Sequence, residues 1–253
     1  MSGEFTTDRD PAKDWFVRLP PRRAEGKRIL VFPHAGNGPA GFGPFSRAVA
    51  DRAEVWALNL PGRQARAREV PRREFAPLVR ELVDDLADSL LDRPYTVVGY
   101  CAGAALAYGV VREIGRRGLP GPDVLVPVAY PPPGRAGDVS MLGTLESDEF
   151  WRVLLDFGGV PEALSAARYR PLFEPALRAD YALLADFHED GPRRGGIPAV
   201  TAIMGTTDHV VEAAAVVRWA DHAERFELVT VEGGHWLLDH APAELAEAVL
   251  ATS

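Results

Sequence analysis

Short apolar runs alternate along the chain with longer segments in which apolar residues recur every three or four positions. Runs that are apolar throughout and bounded by glycine or proline predict buried β-strands. These runs are residues 28–32, 55–60, 95–99, 124–130, 199–204 and 226–232. The periodic segments predict helices at 45–53, 75–91, 102–117, 213–223 and 242–251. Strands that alternate with helices favour an α/β fold with a mostly parallel sheet and helices on both faces.

Two stretches depart from this rhythm. Residues 1–26 are mostly charged or proline-rich and are predicted to form a tail that leads into a first edge strand. Residues 140–195 come between two strands, and we interpret them as a helical lid inserted in one domain that spans 1–253. Their amphipathic patterns predict helices around 147–157, 162–167 and 174–187. The aromatic residues of the insertion stay unassigned, because aromatic residues at helical spacing line cores as often as pockets.

Composition and charge narrow the class of protein. Apolar residues make up 47% and charged residues 25% of the 253 positions, as in an ordinary globular protein. No run approaches the roughly 20 apolar residues of a membrane helix, and the N-terminus lacks the apolar core of a secretory signal. We therefore expect a cytoplasmic monomer without membrane contact. The net charge of −8 disfavours nucleic acid as a partner.

Cys101 is the only cysteine, which excludes an internal disulfide and a zinc site built on cysteines. A lone cysteine is usually a small buried hydrophobe. Here it stands between a predicted strand and a predicted helix, in the sequence Gly-Tyr-Cys-Ala-Gly of residues 99–103. This pattern resembles the nucleophile elbow G-x-S-x-G, with cysteine replacing serine. The two glycines leave room for the tight turn, and the helix N-terminus favours a thiolate.

Two further residues follow Cys101 in the order that an acid and a base take in such folds. Asp208 follows the strand predicted at 199–204, and His235 follows the strand predicted at 226–232. Taken singly, Asp208 is typical of a turn or a helix N-cap, and His235 of a turn. Both follow the carboxyl ends of strands, where parallel sheets hold their active sites. We therefore interpret Cys101, Asp208 and His235 as nucleophile, acid and base.

These assignments predict how the site works. His235 takes the thiol proton, or pairs with a thiolate as imidazolium, and Asp208 orients and stabilises it. The backbone N–H groups of Ala35 and Ala102 are the predicted oxyanion hole, since Ala102 follows the nucleophile and Ala35 lies just after the first predicted strand. The chain has no metal-binding spacing such as H-E-x-x-H, so we expect neither a metal nor a cofactor.

The other histidines receive smaller predicted roles. His34 is predicted to be structural, and His209 to line the entrance of the site. His188, His222 and His240 are predicted at the surface.

Five arginines lie close together after the second predicted strand. Such a run of charge is usually a solvated loop face. The alternative is a docking patch for an acidic partner or a phosphate group. The five residues are Arg63, Arg66, Arg68, Arg72 and Arg73.

Several motifs in a fixed order resemble the type II thioesterases of polyketide and nonribosomal peptide biosynthesis. They are the sequences at 32–36 (FPHAG), 60–63 (LPGR), 99–103 (GYCAG), 177–180 (LRAD), 205–208 (GTTD) and 233–235 (GGH). The resemblance covers nearly the whole chain and implies the α/β-hydrolase fold. It also implies a substrate held as a thioester on the phosphopantetheine of an acyl or peptidyl carrier protein, and its hydrolysis. Such carriers are acidic, which makes the arginine stretch a candidate contact.

The chain departs from the family pattern in two places, at the elbow and directly after the acid Asp208. Tyr100 and Cys101 stand where histidine and serine are usual, and His209 stands where proline is common. We expect Tyr100 to alter the pocket. A cysteine nucleophile exchanges one thioester for another of similar energy, so the acyl group stays activated and can pass to another carrier thiol or to an amine. Hydrolysis and transfer both remain open, and a serine deliberately replaced by cysteine would give the same sequence.

Two alternatives belong to other classes of protein. A general ester hydrolase would act on small molecules, but the motifs at 60–63 and 177–180 count against it. A scaffold that kept the fold without catalysis would be expected to lose its acid and base. Asp208 and His235 are both present.

Overall fold

A computed structural model describes residues 14–21, 26–134, 142–156, 158–160, 166–189 and 196–252. Seven strands within these ranges form one sheet: Phe16–Arg18 (β1), Lys27–Phe32 (β2), Ala53–Leu58 (β3), Tyr95–Tyr100 (β4), Val124–Val128 (β5), Ile197–Gly205 (β6) and Ala223–Val231 (β7). Their order is β1-β3-β2-β4-β5-β6-β7. Every neighbouring pair is parallel except β1 and β3. The predicted mostly parallel sheet is confirmed.

Helices cover both faces of this sheet. Those described are Gly43–Val49 (α1), Phe75–Ser89 (α2), Gly103–Arg116 (α3), Ser147–Asp156 (α4), Arg170–Glu189 (α5), Ala213–Val216 (α6), Leu237–His240 (α7) and Pro242–Leu250 (α8). Leu30 of β2 points into the apolar cluster that holds α2 and α3, and Val31 points into the cluster that holds α1 and α8. This alternation within a run that is apolar throughout is typical of a strand buried on both faces.

The structure corrects the expectation for the N-terminal tail. Phe16–Arg18, inside the predicted tail, forms the antiparallel edge strand β1 beside β3. Phe16 is buried and packs edge to face on Phe32, with ring centroids 5.6 Å apart. The contact brings this short segment onto the sheet.

The segment predicted as a helix at 213–223 is α-helical only in its first turn. It consists of α6 followed by a 3₁₀ helix, Val217–His222. His222 is buried rather than at the surface, and one of its ring nitrogens lies 3.1 Å from the Tyr108 hydroxyl. Its ring also packs against Trp219.

Helices α4 and α5 lie between β5 and β6, inside the segment predicted as a lid. Phe157 and most of the helix predicted at 162–167 lie outside the described residues. The aromatic side chains Phe150, Trp151 and Tyr181 are buried, and the ring of Phe150 packs edge to face against the other two. The lid role of 140–195 and the single domain over 1–253 stay predictions. Among the helices described, we find none with the length and apolar character that crossing a bilayer requires.

Candidate active site

Cys101 occupies the turn between β4 and α3. Its φ of 49° lies in the left-handed region, which a residue with a side chain adopts only when its surroundings hold it there. Two backbone hydrogen bonds do so. The Cys101 N–H donates to the carbonyl of Val128 on β5 at 2.8 Å, and the Cys101 carbonyl accepts from the N–H of Ala104 at 2.9 Å. The thiol is thereby raised at the carboxyl end of the sheet.

The two glycines that flank this turn are required by close packing. A Cβ atom on Gly103 would overlap the carbonyl oxygen of Phe32, and one on Gly99 would overlap the backbone of Ala104. Helix α3 therefore lies directly against β2 and β4. The strained turn predicted from the pattern at 99–103 is present in the structure.

Cys101, His235 and Asp208 form one hydrogen-bonded row. The Cys101 Sγ lies 3.3 Å from His235 Nε2, and His235 Nδ1 lies 3.0 Å from Asp208 Oδ2. Asp208 Oδ1 accepts the backbone N–H groups of Val210 at 2.8 Å and Val211 at 3.0 Å. The side chains of His235 and Asp208 are 2% and 0% exposed. The structure thus brings together the three residues that the sequence singled out from separate loops.

The electrostatics of this row favour a charged imidazole. Burial disfavours the imidazolium form of His235, but the charge of the Cys101 thiolate and the hydrogen bond to Asp208 outweigh it, so the pKa of His235 lies above its ordinary value. Burial also opposes ionisation of Asp208, yet its hydrogen bonds to His235 and to two backbone N–H groups hold its pKa below the usual range. Asp208 therefore stays a carboxylate that stabilises the protonated base.

Ala35 and Ala102, the predicted oxyanion donors, line the same small pocket beside the elbow. Across the part of the chain that the structure describes, neither backbone N–H donates to a protein acceptor. Both groups are thus available to a ligand, and their role stays a prediction. The apolar side chains that line this pocket include Leu60, Phe75, Leu106, Leu183 and Leu184.

A buried ion pair fixes the loop that carries Ala35. Asp180 of α5 accepts from Arg63 Nη1 at 2.6 Å and from Arg63 Nη2 at 2.8 Å. Asp180 Oδ2 also accepts the backbone N–H of Gly36 at 2.7 Å. One carboxylate thus joins helix α5, the loop after β3 and the loop after β2. We predicted no role for Asp180 beyond its place in the LRAD sequence.

The arginine stretch is neither a fully solvated face nor a continuous patch. Arg63 is buried in the ion pair just described, and Arg66 is buried and pairs with Glu69. For these two residues, the prediction of a solvated loop face and the prediction of a docking patch are therefore both wrong. Arg68 and Arg73 are exposed, and their role in docking stays a prediction.

Tyr100 does not line the pocket beside the elbow. Its side chain is fully buried in the cluster on the side of α8. Its hydroxyl donates to the carbonyl of His235 at 2.7 Å and accepts from the N–H of Leu238 at 3.3 Å. The expectation that it alters the pocket is not met there, because successive residues of a strand point to opposite faces.

The other histidines differ in exposure. His34 is buried, with Nδ1 3.0 Å from the Ala35 carbonyl and Nε2 2.8 Å from the Asn37 side-chain nitrogen. Burial lowers the pKa of His34 to about 4, so it is neutral near pH 7. His209 and His240 are exposed. The side chain of His188 lies outside the described residues. Within the same described ranges, no three side chains of His, Cys, Asp or Glu gather as a metal site would require.

Comparison with known proteins agrees with this geometry. The chain is 29% identical over 253 residues to the probable cadicidin biosynthesis thioesterase of Streptomyces griseus, covering 96% of this chain and 68% of that protein. It is 30% identical over 226 residues to the AMB antimetabolite synthetase AmbE of Pseudomonas aeruginosa, covering 86% of this chain but spanning only 10% of that protein. The solved structure of BorB, a type II thioesterase from the borrelidin biosynthetic cluster, superposes with a TM-score of 0.80 at 26% identity. That superposition covers 94% of this chain and 97% of BorB.

A sequence model of the thioesterase domain family matches residues 27–252, which include the elbow and the loops of Asp208 and His235. The match confirms the resemblance seen in the motifs, and the sheet and its helices confirm the α/β-hydrolase fold. The chain therefore belongs to the thioesterase domain family and is an enzyme of the α/β-hydrolase superfamily.

Proposed function

We propose that this protein is a type II thioesterase-like enzyme that removes acyl or aminoacyl groups from phosphopantetheinyl carrier proteins in polyketide or nonribosomal peptide biosynthesis. The observation that carries the proposal is the hydrogen-bonded row from Cys101 through His235 to Asp208. The relatives named as biosynthetic thioesterases support the substrate class. A carrier-bound thioester is the substrate that the family resemblance implies.

The first half of the reaction moves the acyl group to the enzyme. The Cys101 sulfur attacks the carbonyl carbon of the thioester, and His235 Nε2 holds the proton that the thiol has lost. The N–H groups of Ala35 and Ala102 stabilise the oxyanion that forms. As the bond between the acyl carbon and the pantetheine sulfur breaks, His235 gives its proton to the leaving thiol. The carrier departs with a free thiol, and the acyl group remains on Cys101 as a new thioester.

The second half releases the acyl group. His235 accepts a proton from water while the water oxygen attacks the acyl carbon. The bond to the Cys101 sulfur then breaks, which restores the thiolate beside the imidazolium and releases the free acid. No step in this scheme uses a metal ion or a redox cofactor.

A second candidate function is acyl transfer, and the sulfur of Cys101 is the observation that favours it. An acyl group on cysteine is a thioester like the substrate, so the first half of the reaction changes the free energy little. A carrier thiol or an amine can then take the place of water with the same proton movements at His235. The acyl group would be moved between carriers rather than discarded.

Intact-mass spectrometry on the protein with an acyl-carrier protein and a second, empty carrier tests both functions. The proposal expects one acyl group on the wild-type chain and none on Cys101→Ala. Acyl groups on the second carrier would exclude pure hydrolysis, and free acid as the sole product would exclude transfer. Full activity of Cys101→Ala without any acyl-enzyme would overturn the whole mechanism.

A further inference from the structure

Tyr100 connects the strand of the nucleophile to the loop of the base. It is the last residue of β4 and immediately precedes Cys101. Its hydroxyl donates to the backbone carbonyl of His235 and accepts the backbone N–H of Leu238. His235 and Leu238 are three residues apart, at the entry to the short helix α7. One side-chain oxygen therefore bridges both backbone groups at the start of that helix.

These two backbone groups depend on Tyr100. In the ranges that the structure describes, no other hydrogen bond reaches the His235 carbonyl or leaves the Leu238 N–H. The Tyr100 side chain is 0% exposed, and it packs among the apolar residues on the α8 side of the sheet. Removing the hydroxyl would leave both backbone groups buried without that partner, and such groups are costly.

The bridge restrains the loop on which the contact between His235 Nε2 and the Cys101 sulfur depends. The His235 side chain is held by Asp208 at Nδ1 and faces Cys101 at Nε2, but neither bond fixes the His235 backbone. Tyr100 supplies that restraint and is itself covalently joined to Cys101. Burial raises the pKa of Tyr100 far above that of a free tyrosine, so the hydroxyl keeps its proton and donates across the working pH range.

We infer that Tyr100 is a positioning residue whose hydroxyl holds the loop of His235, so that Nε2 stays within reach of the Cys101 thiol. The inference concerns the site that the proposed function uses, but its test does not depend on the substrate. Loss of the hydroxyl should weaken the pairing of thiol and imidazole while leaving the pocket beside the elbow unchanged.

Tyr100→Phe is the informative variant, and Tyr95→Phe is its matched control. Both tyrosines are buried on β4, and each hydroxyl donates to a backbone carbonyl at 2.7 Å. The acceptor of Tyr95 is Pro120, at the opposite end of the strand from Cys101. The two variants remove the same atom from buried tyrosines in the two core clusters on either side of the sheet, and only one of them touches the loop of the base.

The rate of alkylation by iodoacetamide measures the effect directly, because Cys101 is the only thiol in the chain. We expect Tyr100→Phe to react about tenfold more slowly than wild type near pH 6, and its profile of rate against pH to move to higher pH. Tyr95→Phe should keep the wild-type profile. With an acyl-carrier substrate, kcat of Tyr100→Phe should fall by a similar factor while KM is unchanged.

Equal profiles for wild type and both variants would overturn the inference, as would equal shifts in both variants. If Tyr100→Phe does not fold, amide hydrogen exchange in the wild-type chain decides instead. The Leu238 N–H is then expected to exchange at least about tenfold more slowly than an unstructured amide, and exchange at the unstructured rate would refute the bridge. If Tyr100→Phe shifts the alkylation profile but the wild-type chain cleaves no carrier thioester, the proposed function is refuted and this inference stands.

Discussion

Arg63 and Asp180 form a two-point ion pair in which both side chains are buried, at 5% and 8% exposure. The pair joins the loop after β3 to helix α5, and the same carboxylate holds the N–H of Gly36, next to the predicted oxyanion donor Ala35. The position of that donor therefore depends on a residue of the inserted helices. This relationship connects the insertion to the chemistry of the elbow.

Asp180→Asn should destabilise the fold and slow the reaction. Loss of one partner leaves the Arg63 charge buried and unpaired, which costs about 3–5 kcal/mol in the free energy of unfolding. Chemical denaturation measures this cost, and steady-state kinetics with an acyl-carrier substrate should show a lower kcat. Asp186→Asn is the matched control, because it removes the same charge from an exposed position on the same helix, where the asparagine oxygen can still accept the N–H of Phe75. It should cost about 1 kcal/mol or less. Equal effects of the two variants would contradict this account.

Cys101→Ser should change the fate of the acyl group. The acyl-enzyme becomes an oxygen ester, from which return to a thiol is uphill, while attack by water remains downhill. We expect the ratio of acyl groups on a second carrier to free acid to be lower with Cys101→Ser than with the wild-type chain. With a radiolabelled acyl group on the first carrier and an excess of the empty second carrier, the label is counted on the second carrier and in the free acid. An unchanged ratio of transfer to hydrolysis would show that the nucleophile does not decide the outcome.

Asp208→Asn should lower kcat by up to about ten-thousandfold, as the same change of the acid does in the Ser-His-Asp triad. The Asn oxygen can still accept the N–H groups of Val210 and Val211, and this leaves its amide nitrogen towards His235 Nδ1. That contact stabilises the wrong tautomer and removes the charge that raises the pKa of His235. The alkylation profile of Cys101 should therefore move to higher pH. A profile that stays in place would count against Asp208 as the partner of the base.

Stability should depend on pH through His34. Burial lowers its pKa from 6.5 to about 4 in the folded chain, so between these values the unfolded chain binds the additional proton. Above pH 6.5 the neutral His34 makes its full contribution to the free energy of unfolding. About 3 kcal/mol of that free energy is lost as the pH falls towards 4. Denaturation in steps of pH should show a shallower slope over this window for His34→Gln. A parallel slope in the variant would assign the dependence to other groups.

The backbone strain at Cys101 should be measurable as stability. At the φ of 49° a residue with a Cβ is strained, whereas glycine is not. We expect the relief of this strain to outweigh the larger conformational entropy that glycine loses on folding. We expect Cys101→Gly to be more stable than Cys101→Ala by about 1 kcal/mol, with both inactive. Equilibrium denaturation of the two variants provides the comparison. A less stable glycine variant would mean that the turn stores no strain.

The order of strands and helices was predictable because strands of a sheet buried on both faces form short, wholly apolar runs. The segment Phe16–Arg18 was not, since three residues carry too little pattern and their place is decided by contacts such as Phe16 on Phe32. His222 could have been placed in the core, because Val216 and Trp219 precede it at helical spacing and are also buried.

The site was predictable in part for a related reason. Cys101, Asp208 and His235 each follow a strand, and parallel strands carry such residues to one edge. The buried pair of Arg63 and Asp180 joins segments far apart in sequence, and nothing local distinguishes a buried arginine from its exposed neighbours. The direction of Tyr100 did have a signal, because it is adjacent to Cys101 in sequence and neighbouring side chains of a strand point to opposite faces.

The shape of the turn at Cys101 does not depend on the atom that acts as nucleophile. Its shape is set by the backbone bond to Val128 and by the absence of side chains at Gly99 and Gly103. None of these features involves the sulfur. A serine therefore fits this position as well as a cysteine does, without a change in the scaffold. In the proposed mechanism, release of the acyl group to water and its delivery to a new acceptor then differ by one atom of the nucleophile.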